Sequence, residues 1–188
     1  MENLSGLEIA PIYRKAHEAA FELVQELSEE QFHWKARPDS PSIAFHFWHL
    51  ARWADYLQAA LARLLPDLGP RQQIWEAENL AAQWGLEAAQ LGEIQTGQLL
   101  PGDEAANLTL PDKETLLAYS RQAFASAESA AEWIDANAAM LGETDEERKK
   151  AYLRARQGII DFLGHDNRHL GMMECLKGLQ TGRGTATV

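Results

Sequence analysis

Residues 41–65 read Pro-Ser-Ile-Ala-Phe-His-Phe-Trp-His-Leu-Ala-Arg-Trp-Ala-Asp-Tyr-Leu-Gln-Ala-Ala-Leu-Ala-Arg-Leu-Leu, and Pro66 and Gly69 follow. The apolar residues recur at helical rather than alternating spacing, so the stretch predicts one long helix. Ser40 and Pro41 suit its N-cap and first turn, and Pro66 with Gly69 stops it. At about 100° per residue the apolar arc runs from Phe45 through Tyr56, Ala60, Trp53, Leu50 and Phe47. Arg52, Asp55, Gln58 and Ala59 fall outside it. His46 and His49 both fall inside, and the wheel alone does not choose between them.

The rest of the 188-residue chain repeats the pattern. Leu7 to Leu27 predicts a first helix, with Ile9, Ile12, Tyr13, Ala16, Ala20, Leu23, Val24 and Leu27 as its buried stripe. Ser28 and Gln31 have capping-box spacing and open a short segment. A third long helix is expected from about Pro111 to Leu141-Gly142. A second capping box, Thr144 with Glu147, opens a last helix that Gly178 ends. Strand-like alternation is scarce. The expectation is an all-α chain, a four-helix bundle over residues 1–180 as a single domain, with a flexible C-terminal tail at 181–188.

Between the second and third long helices lies an acidic excursion. Residues 72–112 hold no Lys or Arg, but do hold Glu76, Glu78, Glu87, Glu93, Asp103, Glu104 and Asp112. One short helix is expected around Gln72 to Trp84, then loop. Loops of this length in small domains are functional or mobile more often than short ones.

Composition narrows the function. The chain has 17 basic and 28 acidic side chains, a formal net charge of −11, six His and one Cys. That balance argues against a general nucleic-acid binder, which phosphates would repel. A single cysteine makes neither an internal disulfide nor a thiolate-built zinc site. No stretch is long and apolar enough for a membrane span or a signal peptide. The expectation is a cytoplasmic protein acting on a small-molecule substrate.

The chemistry points to histidine. His165 and His169, in Gly164-His-Asp-Asn-Arg-His-Leu-Gly171, lie four apart on one helical face, where two imidazoles form half of a divalent-metal site. They share an arc with Phe162, Met172, Met173 and Leu176, flanked by Asp161 and Asp166. Gly164, Gly171 and Gly178 recur along another side, where a helix could approach closely. His17 and His33 read as packing or surface residues. A di-iron bundle needs two Glu-x-x-His motifs, and only Glu30–His33 matches. No His-Glu-x-x-His, Gly-x-Ser-x-Gly or phosphate-binding glycine loop occurs. No residue stands out as the general base, so the catalytic residues stay unassigned.

Ser42-Ile-Ala-Phe-His-Phe-Trp-His49-Leu-Ala-Arg-Trp-Ala-Asp55, then His165-x3-His169-Leu-Gly171 and Leu176-Lys-Gly-Leu179, together resemble the DinB-like (DinB/YfiT) superfamily. The resemblance covers nearly the whole chain, including Gln73-Ile-Trp-Glu-Ala-Glu and Gln83-Trp-Gly-Leu. It implies an up-down-down-up four-helix bundle and a divalent metal (Zn, Ni or Fe) on His49, His165 and His169. It makes His46 a neighbouring pocket residue or hydrogen-bond partner. It also implies a metal-dependent thiol S-transferase or hydrolase-type enzyme, with bacillithiol, mycothiol or glutathione as the low-molecular-weight thiol, and a homodimer. The alternative is a non-catalytic stress-response or small-molecule-binding module with a structural metal. Trp53 and Trp48, or Met172 and Met173, are expected in the pocket wall. Asp161 or Asp166 is expected behind the ligands, Asp161 orienting the free ring N–H of His165.

Overall fold

The computed structural model describes residues 8–138 and 145–183. Among them every regular element is helical. The helices are α1 (Ala10–Gln25), α2 (Glu29–His33), α3 (Ile43–Leu64), α4 (Ile74–Ala77), α5 (Leu80–Gln83), α6 (Gly102–Asn107), α7 (Lys113–Ala136) and α8 (Glu146–Thr181). Pro66–Leu68 and Ala88–Leu91 form single 3₁₀ turns. No helix among the described residues is long and apolar enough to cross a membrane.

Side-chain caps set the helix starts. Ser28 and Gln31 form the expected reciprocal capping box. For α3 the cap is Ser42, not Ser40: its Oγ accepts from Phe45 N, while Ser40 bonds Arg37 instead. For α8 the cap is Asp145, which accepts from Arg148 N. The expected box at Thr144 begins outside the described residues, as do Leu7 of the first predicted helix and Leu141-Gly142 of the third. Gly178 does not end α8. The helix runs on through Thr181 to Gly182, which takes the left-handed conformation (φ 70°) that glycine adopts without strain. Thr181 is thus helical, and residues 184–188 of the expected tail lie outside the described residues.

The four long helices share one core. Both α1 and α3 pack on α7 and α8. Ala10 N donates to Asp135 at 2.7 Å, and Lys113 Nζ to Leu27 O at 2.6 Å, so these pairs join α1 and its end to α7. His17 faces Asp166 and Glu26 meets Lys177 across α1 and α8. Trp53 meets Phe162 at a ring separation of 5.1 Å across α3 and α8. Phe47, Phe32, Phe21 and Phe124 stack edge-to-face inside. Gly164 and Gly171 do not receive a neighbouring helix: a Cβ there would meet open space. Ile12 is likewise exposed rather than part of the buried stripe.

The largest departure from the helical wheel lies on α3. Arg52, Asp55, Gln58 and Ala59, outside the apolar arc, are all buried, Asp55 completely. Segment 65–112 covers them. Its acids face solvent, while Trp75, Leu80, Leu86 and Leu91 turn inward. The single short helix expected near Gln72–Trp84 is two one-turn helices, broken at Asn79, which is left-handed (φ 52°). Arg52 lies over the Trp75 ring at 4.7 Å. It donates to Asp55 (3.1 Å), Tyr119 Oη (3.1 Å), Gln73 Oε1 (3.0 Å) and the Gln95 carbonyl (2.9 Å). Asp55 also accepts from Tyr119 Oη and from the backbone N–H groups of Ile74 and Trp75 at the start of α4. Arg52→Met strands a buried carboxylate without its cation, and removing one partner of a buried pair costs roughly 3–5 kcal/mol. Chemical denaturation is expected to show a loss of that order, with Trp75 fluorescence shifting as segment 65–112 lifts.

Candidate metal centre

His46 and His49 stand on the first turns of α3, and His165 and His169 on the second half of α8, where the two helices face each other. The ligand-capable atoms of His49, His165 and His169 lie within 4.8 Å of one another. His49 is buried and the other two are half-buried.

Each of the three rings has its Nδ1 engaged from behind. His49 Nδ1 meets the Thr96 carbonyl at 2.5 Å. His165 Nδ1 faces Asp166 Oδ1 at 3.4 Å. His169 Nδ1 lies 3.0 Å from His46 Nδ1. A carbonyl and a carboxylate only accept, so the protons on His49 and His165 sit on Nδ1 and their Nε2 atoms carry lone pairs. The Trp53 indole N–H donates to His49 Nε2 at 3.2 Å, which requires the same tautomer. The His49 and His165 Nε2 atoms then oppose one another, lone pair to lone pair, at 3.1 Å. That pairing is repulsive unless a metal ion or a proton lies between them. Zinc held at about 2.0–2.1 Å in a tetrahedral field separates imidazole nitrogens by about 3.3 Å. The donor set therefore fits a borderline divalent ion, with the far nitrogens oriented as metal-bound histidines require.

Burial disfavours the charged form of His46, His49 and His169. It pushes His46 down to about 4. For His49, burial outweighs the Thr96 carbonyl, and the neighbouring His165 and His46 rings add to the fall, also to about 4. For His169, burial and the three neighbouring rings lower it to about 2. At neutral pH His49 and His169 need lose no proton to bind metal.

The structure brings some expected residues to the site and leaves others outside. His46 is the hydrogen-bond partner of a ligand, and Trp53 donates to one. Trp48 is fully buried beneath Phe45. Asp166 is buried behind His165, whereas Asp161 is exposed and accepts from Gln157, away from His165. Met172 is exposed instead of lining the pocket, while Met173 is buried. His33 pairs with exposed Glu29. His17 is buried among Tyr13, Phe124, Glu128 and Asp166. Cys175 is exposed.

Thr96 had no signal in the sequence, because it acts through its backbone carbonyl. Gly97 beside it is left-handed (φ 79°), and a Cβ there would fall 2.8 Å from the Trp48 ring and 3.3 Å from His49 Nδ1. The backbone can press against the ligand only because that position lacks a side chain.

The DinB superfamily model matches residues 12–173. The chain belongs to the DinB superfamily. A comparison with curated proteins found no match.

Two outcomes follow from the site as built. Gly97→Ala forces Trp48, His49 or the loop to move, at a cost of roughly 1–3 kcal/mol. It is expected to lower thermal stability and weaken metal binding together. In metal-free protein the lowered folded-state values of His46, His49 and His169 mean that the unfolded chain binds more protons below about pH 6.5. Their stabilisation is present above that value and is lost as pH falls toward about 4. His17, raised in the folded state, opposes this as one group against three. Melting temperature against pH is expected to fall through that window, and saturating metal is expected to steepen the fall.

Proposed function

We propose that this DinB-superfamily protein is a metal-dependent enzyme, a thiol S-transferase or hydrolase-type catalyst, with Zn, Ni or Fe on His49, His165 and His169. The observation that carries the reading is the opposed Nε2 pair of His49 and His165, 3.1 Å apart with both far nitrogens committed to acceptors. A divalent ion held there would supply Lewis-acid activation, lowering the pKa of a bound thiol or water so that it attacks an electrophile.

Three protein nitrogens leave a tetrahedral ion one open position, which a closed structural site lacks. The Trp53 N–H, which donates to His49 Nε2 here, would be released to an anion once that nitrogen bound a metal. Phe162 and Trp53 wall the site beside His165, at ring separations of 6.2 and 6.0 Å, and form its apolar edge. The exposed Cys175 lies outside the ligand set, so a reacting sulfur would arrive with a low-molecular-weight thiol such as bacillithiol, mycothiol or glutathione. The acidic surface favours a small-molecule substrate over nucleic acid.

The same reading takes the long helices as an up-down-down-up four-helix bundle. Contact order supports it. Pairs across α1 and α7 run in opposite order, Ala10 with Asp135 and Leu27 with Lys113. Pairs across α1 and α8 run in the same order, His17 with Asp166 and Glu26 with Lys177. Pairs across α3 and α8 run in opposite order, His46 with His169 and Trp53 with Phe162.

Elemental analysis of native protein is expected to find one transition metal per chain. His49→Ala, His165→Ala and His169→Ala are each expected to remove it with the helical circular dichroism intact. A thiol panel against a model aryl halide is expected to show turnover lost with the metal. A metal-free native protein overturns the reading, and metal without thiol-dependent or hydrolytic turnover favours the non-catalytic module.

A further inference from the structure

Buried polar atoms in folded proteins nearly always have partners. His17 Nε2 and Asp166 Oδ2 are both buried and neither makes a hydrogen bond. They face each other at 3.5 Å, one across from the other between α1 and α8. The other oxygen of Asp166 is the one behind His165. The other nitrogen of His17 lies 2.7 Å from Glu128 Oε1, and Glu128 Oε2 lies 3.3 Å from Arg14 Nε. The His17 ring is clamped, stacked on Phe124 at 4.0 Å and 8°. A line of alternating charge and imidazole thus runs from Arg14 at the surface to a ligand of the metal centre.

We propose that His17, braced by Glu128, is a positioning residue for that centre: it holds the Asp166 carboxylate so that Oδ1 faces His165 Nδ1 and His165 Nε2 stays free to bind metal. The inference rests on the metal reading above. A carboxylate turns easily about its terminal torsion. With His17 absent, one long contact to His165 is all that orients Asp166 in the described structure. Burial alone would lower the proton affinity of His17, but the facing carboxylates of Asp166 and Glu128 outweigh it and raise it.

The test uses the full-length chain and Zn²⁺ alone, with affinity read by competition against a chromophoric chelator. Co²⁺ ligand-field spectra report the coordination sphere independently of activity. Loss of a group behind a metal ligand typically weakens metal binding about 10–100-fold. His17→Phe is expected to do so and to alter the Co²⁺ bands. His17→Gln, whose amide can donate to Asp166, is expected to recover most of the affinity. In an Asp166→Asn background His17→Phe is expected to add nothing. Should His17→Phe fail to fold, Glu128→Gln at the outer end carries the test, with a smaller loss in the same direction. Wild-type affinity in the folded His17 and Glu128 variants overturns the assignment, as does a His17→Phe loss that adds to that of Asp166→Asn. If the wild-type chain binds no Zn²⁺, the metal reading fails and takes this one with it. If it binds and His17 is indifferent, this one fails alone.

Discussion

The buried Arg52–Asp55 pair is the interaction on which the site depends. Two charges removed from water are tolerable only when nearly every donor and lone pair is met. Here the partners come from three places: Tyr119 on α7, Gln73 and the start of α4, and the Gln95 carbonyl. Satisfying the pair therefore fixes segment 65–112 against α3. Residue 95 is pinned by Arg52, and the next residue, Thr96, delivers its carbonyl to His49. One helical turn of α3, from His49 to Arg52, holds both a metal-ligand candidate and the cation that secures its orienting group.

This explains what the sequence made legible. The long helices were readable because their apolar periodicity reflects direct packing on one another. His165 and His169 were readable because their spacing is a property of a single helix. His49 could be chosen over His46 only by resemblance, since both rings face α8. In the structure the two differ in what they touch: His46 reaches the far nitrogen of His169, while His49 reaches into the cluster.

The misreadings share a cause. A wheel assumes that one face of a helix is buried and the other wet, and α3 is buried on both. Segment 65–112 supplies the second cover, and its acid-rich composition hid the inward Trp75, Leu80 and Leu91. Asp166 and Asp161 show the same limit on α8. Both flank the histidine arc at similar angles, but only Asp166 finds a buried partner, because His17 on α1 stands opposite it. That pairing needs α1 and α8 to be adjacent in a particular register, which a single-helix pattern does not contain.

The three anchors behind the candidate ligands differ in how firmly they are held. His46 shares the first turns of α3 with His49, and Asp166 adjoins His165 on α8, so both belong to long packed helices. Thr96 sits in irregular backbone between left-handed Gln95 and Gly97. Such backbone persists only when its surroundings over-determine it. Here the constraint comes from the Arg52 bond to Gln95, and from the Gln95 side chain accepting from the Trp75 indole at 2.9 Å. Of the three orienting groups, Thr96 is thus the one whose position follows the docking of segment 65–112. Any change that loosens that segment reaches the histidine cluster first through the tautomer and tilt of His49.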